Sequence, residues 1–227
     1  MLSQTIIAIF LGIIFAWIVN YLVDLLPFTF HLTSPICPQK DCGKQFTWTE
    51  YILFYRCKSC ASRSLARPFF ILAISITFSL IFGLVFSPGL VDVFYYLSFY
   101  YLFIVGLIDF EHHLILLPLN IAGFFILGLA GFFLHGWLST LIGCASGAFI
   151  MYILFLFGKL FTRYKARKLN VPISSLDDSL AFGDVILAFL LGLLLGWPGI
   201  WIGLLLGILL SGLLSIFVII FLNLQKK

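Results

Sequence analysis

The sequence predicts an all-α, polytopic membrane protein with about seven transmembrane helices and one large cytoplasmic loop that carries four cysteines. Three observations predict it. Hydrophobic residues make up 63% of the chain and charged residues 10%, whereas a soluble domain is about a quarter charged. That much apolar surface has no place inside a water-soluble core. The apolar residues come in continuous runs rather than short alternating stretches, which favours helices over a membrane barrel. The basic residues are confined to three regions of the chain, as expected when loops alternate across a membrane.

Seven apolar runs stand out, at 5–26, 69–86, 93–110, 114–134, 138–161, 183–196 and 199–221. At a rise of about 1.5 Å per residue most can cross a hydrocarbon core of about 30 Å. The sixth is short and is read as tilted or partly re-entrant. Turn signals separate neighbouring runs: "FSPG" at 86–89, "HGW" at 135–137 and "WPG" at 197–199. The first run lacks a basic leader and a small-residue cleavage site, so it is read as a retained span and not a secretory signal. Small residues recur in "GCASGAF" at 143–149 and "GLLLGILLSG" at 203–212, where they allow helices to approach closely.

The charges orient the spans. Lys40, Lys44, Arg56, Lys58, Arg63 and Arg67 lie between the first two runs. Lys159, Arg163, Lys165, Arg167 and Lys168 lie at or beyond the end of the fifth, and Lys226 and Lys227 close the chain. With seven spans these regions share one side, which the positive-inside rule makes cytoplasmic. The N-terminus is then outside and the C-terminus inside. Trp17, Trp137, Trp197 and Trp201 are read as interfacial anchors near span ends. "RYKARK" at 163–168 is a topology signal that touches anionic membrane lipid and is no argument for nucleic acid.

Residues 27–68 form the large polar loop, between a first helix at 1–26 and a membrane-embedded domain at 69–227. Cys37, Cys42, Cys57 and Cys60 follow a C-x4-C-x14-C-x2-C spacing. Four thiolates on two knuckles can close a tetrahedral structural zinc site. A reducing cytoplasm disfavours disulfides there. The other reading is a loop with free or redox-active thiols. Cys144, within the fifth run, is read as a small packing residue.

Two acids border apolar runs: Asp109 in "GLIDFEHHLILLP" at 106–118, and Asp184 heading "AFGDVILAFLLGLLLGW" at 181–197. Carboxylates in membrane segments are costly and mark functional sites by default. Each can also be a plain interfacial acid, and Asp184 can favour a helix N-terminus. Both fall on the cytoplasmic side. Two close carboxylates split their proton affinities, giving an acid and a base that can activate water. Gly183 permits close approach of a backbone or substrate. Glu111, His112 and His113 are read as a wet interhelical turn, with tuning of Asp109 or a metal site as the alternatives. Asp177 and Asp178 are read as solvated charges in the inner loop, or as contacts for a basic peptide.

"LIDFEHHLIL" together with "FGD" resembles the type IV prepilin peptidases, the GxGD-type intramembrane aspartyl proteases. "GIIFAWIVNYLVDLLP" at 12–27 is similar to that family's first helix, with Asn20 and Pro27 in matching places, and a four-Cys loop follows as in the family. The sequence departs from the pattern at Ala181, where the family has the first Gly of its Gly-x-Gly-Asp motif. It departs again at Leu116 in place of a Pro and at Leu25 in place of an Arg, and Asp24 is an acid the pattern does not require. The resemblance implies Asp109 and Asp184 as the catalytic pair, supported by Gly183 and Ala181. It implies a prepilin or pseudopilin substrate, a bacterial inner (cytoplasmic) membrane, and in many members a second activity that methylates the new N-terminus from S-adenosylmethionine. No metal is needed for the cut. Two other classes stay open: a transporter or channel using the paired acids, and a non-catalytic scaffold with a zinc-stabilised loop.

Overall fold

The computed structural model describes residues 2–29, 33–36, 45–52, 66–85, 89–169 and 182–225. Among these residues the regular structure is helical: α1 (Leu2–Thr29), α2 (Trp48–Ile52), α3 (Ala66–Val85), α4 (Leu90–His112), α5 (Leu117–Leu169) and α6 (Phe182–Gln225). A lone antiparallel bridge joins Ile36 to Gln45. Apart from α2, these helices are long and apolar enough to cross a membrane, five in number among the described residues. Several such helices in one chain are the mark of a multi-pass membrane protein. The chain divides into two compact units, Met1–Ile121 and Ala122–Lys227.

In the first unit α1, α3 and α4 form an up-down-up bundle. Numbers rise along α1 as they fall along α3. Ala8 lies against Gly83, Gly12 against Ser75, Ile76 and Ser79, and Asp24 against Arg67. The same reversal relates α3 to α4: the Ser79 hydroxyl sits 2.6 Å from the Tyr96 hydroxyl, Tyr100 donates to the Ser75 carbonyl at 3.2 Å, and Arg67 meets Glu111. Alternation follows from short connections between antiparallel neighbours. Val19, Val23, Ile71, Tyr100, Ile104 and Ile108 fill the core. The Ser79, Tyr96 and Tyr100 hydroxyls satisfy one another within it, which avoids leaving polar atoms unpaired in an apolar bundle.

In the second unit both long helices are broken. Gly136 (φ 78°) interrupts α5, and Gly196 (φ 62°) with Trp197 interrupts α6. The chain folds back at each break. In an unbroken helix residues 131 and 140 would stand about 13 Å apart, yet a Cβ on Gly131 would come 3.1 Å from Thr140 Oγ1. Likewise a Cβ on Gly203 would come 2.6 Å from Leu195 Cδ1. Positive φ is available to Gly without steric cost, so the chain turns at Gly136 within "HGW" and at Gly196 immediately before "WPG". Ser139 joins the two breaks, accepting from the Trp197 N–H at 3.0 Å and donating to the Trp197 carbonyl at 2.9 Å.

The arm of α5 beyond Gly136 runs antiparallel to the arm of α6 before Gly196. Ser139 meets Trp197, Gly143 meets Gly192, Gly147 meets Ala188, and the Phe155 ring meets Phe182 at 5.9 Å. Backbones touch along this seam: a Cβ on Gly192 would lie 2.4 Å from the Gly143 carbonyl oxygen. The small residues of 143–149 therefore serve close packing. Within 203–212, Gly203 packs closely on Leu195, whereas Gly207 and Gly212 have nothing within 4 Å of a Cβ position among the described residues.

Candidate functional site

Asp109 lies in the last turn of α4, exposed, at the cap of the helix. The His113 N–H donates to the Asp109 carbonyl at 2.9 Å, and His113 itself takes a left-handed conformation (φ 52°) that ends the helix. Ile108 beside it is fully buried while Phe110 is 82% exposed. The carboxylate thus stands where the apolar helix ends, beside the polar run Glu111–His113. That is the cheapest depth at which a membrane helix can hold an ionised acid.

The neighbours of Asp109 are not a simple wet turn. Glu111 Oε1 lies 2.6 Å from Arg67 Nε. Arg67 Nη1 also pairs with Asp24 Oδ1. Asp24 is 2% exposed, and its second oxygen accepts from the Tyr51 hydroxyl at 2.7 Å. His112 packs edge-on against the Phe28 ring at 5.5 Å, and its Nε2 stands 3.9 Å from Glu111 Oε2. One guanidinium therefore joins α1, α3 and α4 at the end of the bundle where Asp109 sits, with α2 supplying the tyrosine. A buried carboxylate needs such a partner, since an isolated buried charge is prohibitively costly.

Sequence reading missed this network. It treated Arg67 as one of six topology charges and Asp24 as an acid without a role. The signal was present: an acid near the end of one apolar run and an arginine at the start of the next are brought together when the runs pair antiparallel.

Asp184 lies in the first turn of α6, partly buried, next to the buried Val185. Free N–H groups at a helix start favour a carboxylate there. Gly183 precedes it in the same turn and is likewise partly buried. Asp109 belongs to the first unit and Asp184 to the second. Ala181, Asp177 and Asp178 lie outside the described residues, as do Cys37, Cys42, Cys57 and Cys60. The described backbone on either side of the first cysteine pair is joined. Ile36 bridges Gln45, and the Phe46 N–H donates to the Pro35 carbonyl at 2.7 Å. Among the described residues no group of three or more His, Cys, Asp or Glu side chains is placed to hold a metal. Glu111, His112 and His113 thus form no metal site there. Cys144 is buried, and its thiol donates to the Leu141 carbonyl at 3.2 Å.

Searches against protein families, curated proteins and solved structures found no match for this chain.

Proposed function

We propose that this protein is an intramembrane aspartyl endopeptidase that removes the leader of type IV prepilin-like proteins at the cytoplasmic face of a bacterial inner membrane. The observation that carries the proposal is the ordered set of motifs. An Asn- and Pro-bearing first helix comes first, then a four-Cys loop, then Asp109 at the end of one apolar helix and Asp184 after a glycine at the start of another. Both acids occupy helix ends, where a membrane-embedded carboxylate can reach water.

On this reading the chemistry is that of a general base and a general acid acting on one water and one peptide. One is ionised and takes a proton from water. The other is protonated and gives its proton to the scissile peptide, and the roles exchange as the tetrahedral intermediate collapses. Gly183 leaves room for an extended substrate beside Asp184. Counting α5 and α6 as two spans each at their breaks supports the seven-span reading, in which the positive-inside rule puts the three basic regions in the cytoplasm and the N-terminus outside. A structural zinc held by Cys37, Cys42, Cys57 and Cys60 would tie the cytoplasmic loop together. The Ile36–Gln45 bridge, on the described backbone to either side of the first cysteine pair, supports that reading. The proposal covers cleavage and leaves methyl transfer aside.

Co-expression with a tagged prepilin-like substrate tests the proposal. Its leader should be lost only in cells that carry this protein. A precursor that persists at full length beside well-expressed protein would overturn the assignment.

A further inference from the structure

We propose that Arg67 is a positioning residue for Asp109. By bridging Asp24 on α1 and Glu111 on α4, it fixes the helix turn on which Asp109 stands. The inference rests on the reading of Asp109 as a catalytic acid.

The argument starts from the helix end. The last turn of α4 is closed at His113, whose N–H bonds the Asp109 carbonyl, and non-helical backbone follows over 113–116. Terminal turns lack intrahelical partners on one side and fray readily. Proton transfer, however, requires the carboxylate within hydrogen-bond reach of its target, and a displacement of about 1 Å can cost about 100-fold in rate. Something must hold this turn. Glu111 is in it, and Arg67 holds Glu111 at 2.6 Å.

Arg67 is itself well anchored. It belongs to the first turn of α3, and its side chain is 26% exposed. Its partner Asp24 is 2% exposed and held from the other side by Tyr51. The guanidinium thus transmits the rigidity of the α1–α3 core to the end of α4. His112 against Phe28 adds a second, apolar tie to α1.

Stability alone does not account for the arrangement. A buried ion pair often contributes no more than a well-packed apolar pair of the same volume, and its best-attested use is to fix register. Arginine suits that task because its planar fork can engage two carboxylates in a set geometry, which lysine cannot reproduce. Arg67 Nε and Nη2 lack aligned hydrogen-bond partners among the described residues. Nη1 donates a hydrogen bond to Asp24 Oδ1, so Asp24 is held by a charge-assisted hydrogen bond and Glu111 by charge at short range.

The test compares wild type, Arg67→Gln, Arg67→Lys and Glu111→Gln, all full length in detergent, with rates normalised to folded protein. Two readouts are taken: kcat and KM on a prepilin-like substrate, and amide hydrogen exchange over 109–116. Arg67→Gln should lower kcat about 10- to 100-fold with KM changed less than about threefold, as a displaced carboxylate requires. Glu111→Gln should move kcat the same way by a smaller factor, and Arg67→Lys should recover part of the loss. Exchange over 109–116 should quicken in Arg67→Gln while the core of α4 near Tyr100 keeps its protection.

Wild-type kcat in Arg67→Gln, or unchanged exchange over 109–116, would overturn the proposal. A wild type that cleaves nothing while exchange still quickens would overturn the cleavage reading and the positioning role with it, leaving Arg67 as a structural tie.

Discussion

The seam between α5 and α6 yields a prediction with a magnitude. Replace Gly192 by Ala. The added Cβ would stand 2.4 Å from the Gly143 carbonyl oxygen and 2.6 Å from Cys144 Cα, where ordinary contacts begin at 3.4 Å. Both obstacles are backbone, so no side chain can swing aside. The two arms must separate by about 1 Å, which forfeits a quarter to a half of each dispersion well of ~0.1–0.2 kcal/mol. Over some tens of heavy-atom contacts along the seam this comes to about 2–3 kcal/mol, within the range for overpacked cores. The better helix propensity of Ala returns up to about 1 kcal/mol. A net loss of about 1–2 kcal/mol follows. The assay is unfolding in mixed micelles, with Gly207→Ala as the control because nothing among the described residues lies within 4 Å of its Cβ position. The control should match or exceed wild type by up to about 1 kcal/mol, the same helix-propensity gain without the clash. A Gly192→Ala protein as stable as wild type would refute the close-approach argument.

Other predictions follow from single contacts. Asp24→Ala should destabilise the first unit by about 3 kcal/mol, because it strands Arg67 beside one remaining carboxylate and leaves Tyr51 without its acceptor. Asp24→Asn should cost less, since the amide oxygen can still accept from Tyr51, and the two variants can be ranked by melting temperature. Ser139→Ala removes both hydrogen bonds to Trp197 and should cost about 1–2 kcal/mol, read from the same unfolding assay. Purified protein should carry one zinc per chain by elemental analysis, and Cys57→Ser should lose it.

Much of the fold can be read from the sequence because membrane helices announce themselves by length and apolarity. The turn signals at 135–137 and 197–199 mark the places where Gly136 and Gly196 break α5 and α6. The run lengths do not show that each reversal takes only one or two residues of non-helical backbone. Neighbour choice is harder to read. Membrane helices are apolar all round, so periodicity does not show which face meets which helix. The seam through Gly143, Gly147 and Gly192 is legible as small residues but not as a pair of arms. The Asp24–Arg67–Glu111 tie becomes legible only once α1 is paired antiparallel with α3 and α3 with α4. Asp109 and Asp184 are legible one at a time, as acids where acids are costly.

The most direct test of the central claim is cleavage of a prepilin-like substrate by purified protein, comparing wild type with Asp109→Asn and Asp184→Asn at matched folded fractions. The account predicts cleavage by wild type after the leader, and a loss of at least about 100-fold in each variant, since general acid–base groups contribute about 10²–10⁴-fold. Cleavage that survives either substitution would contradict it.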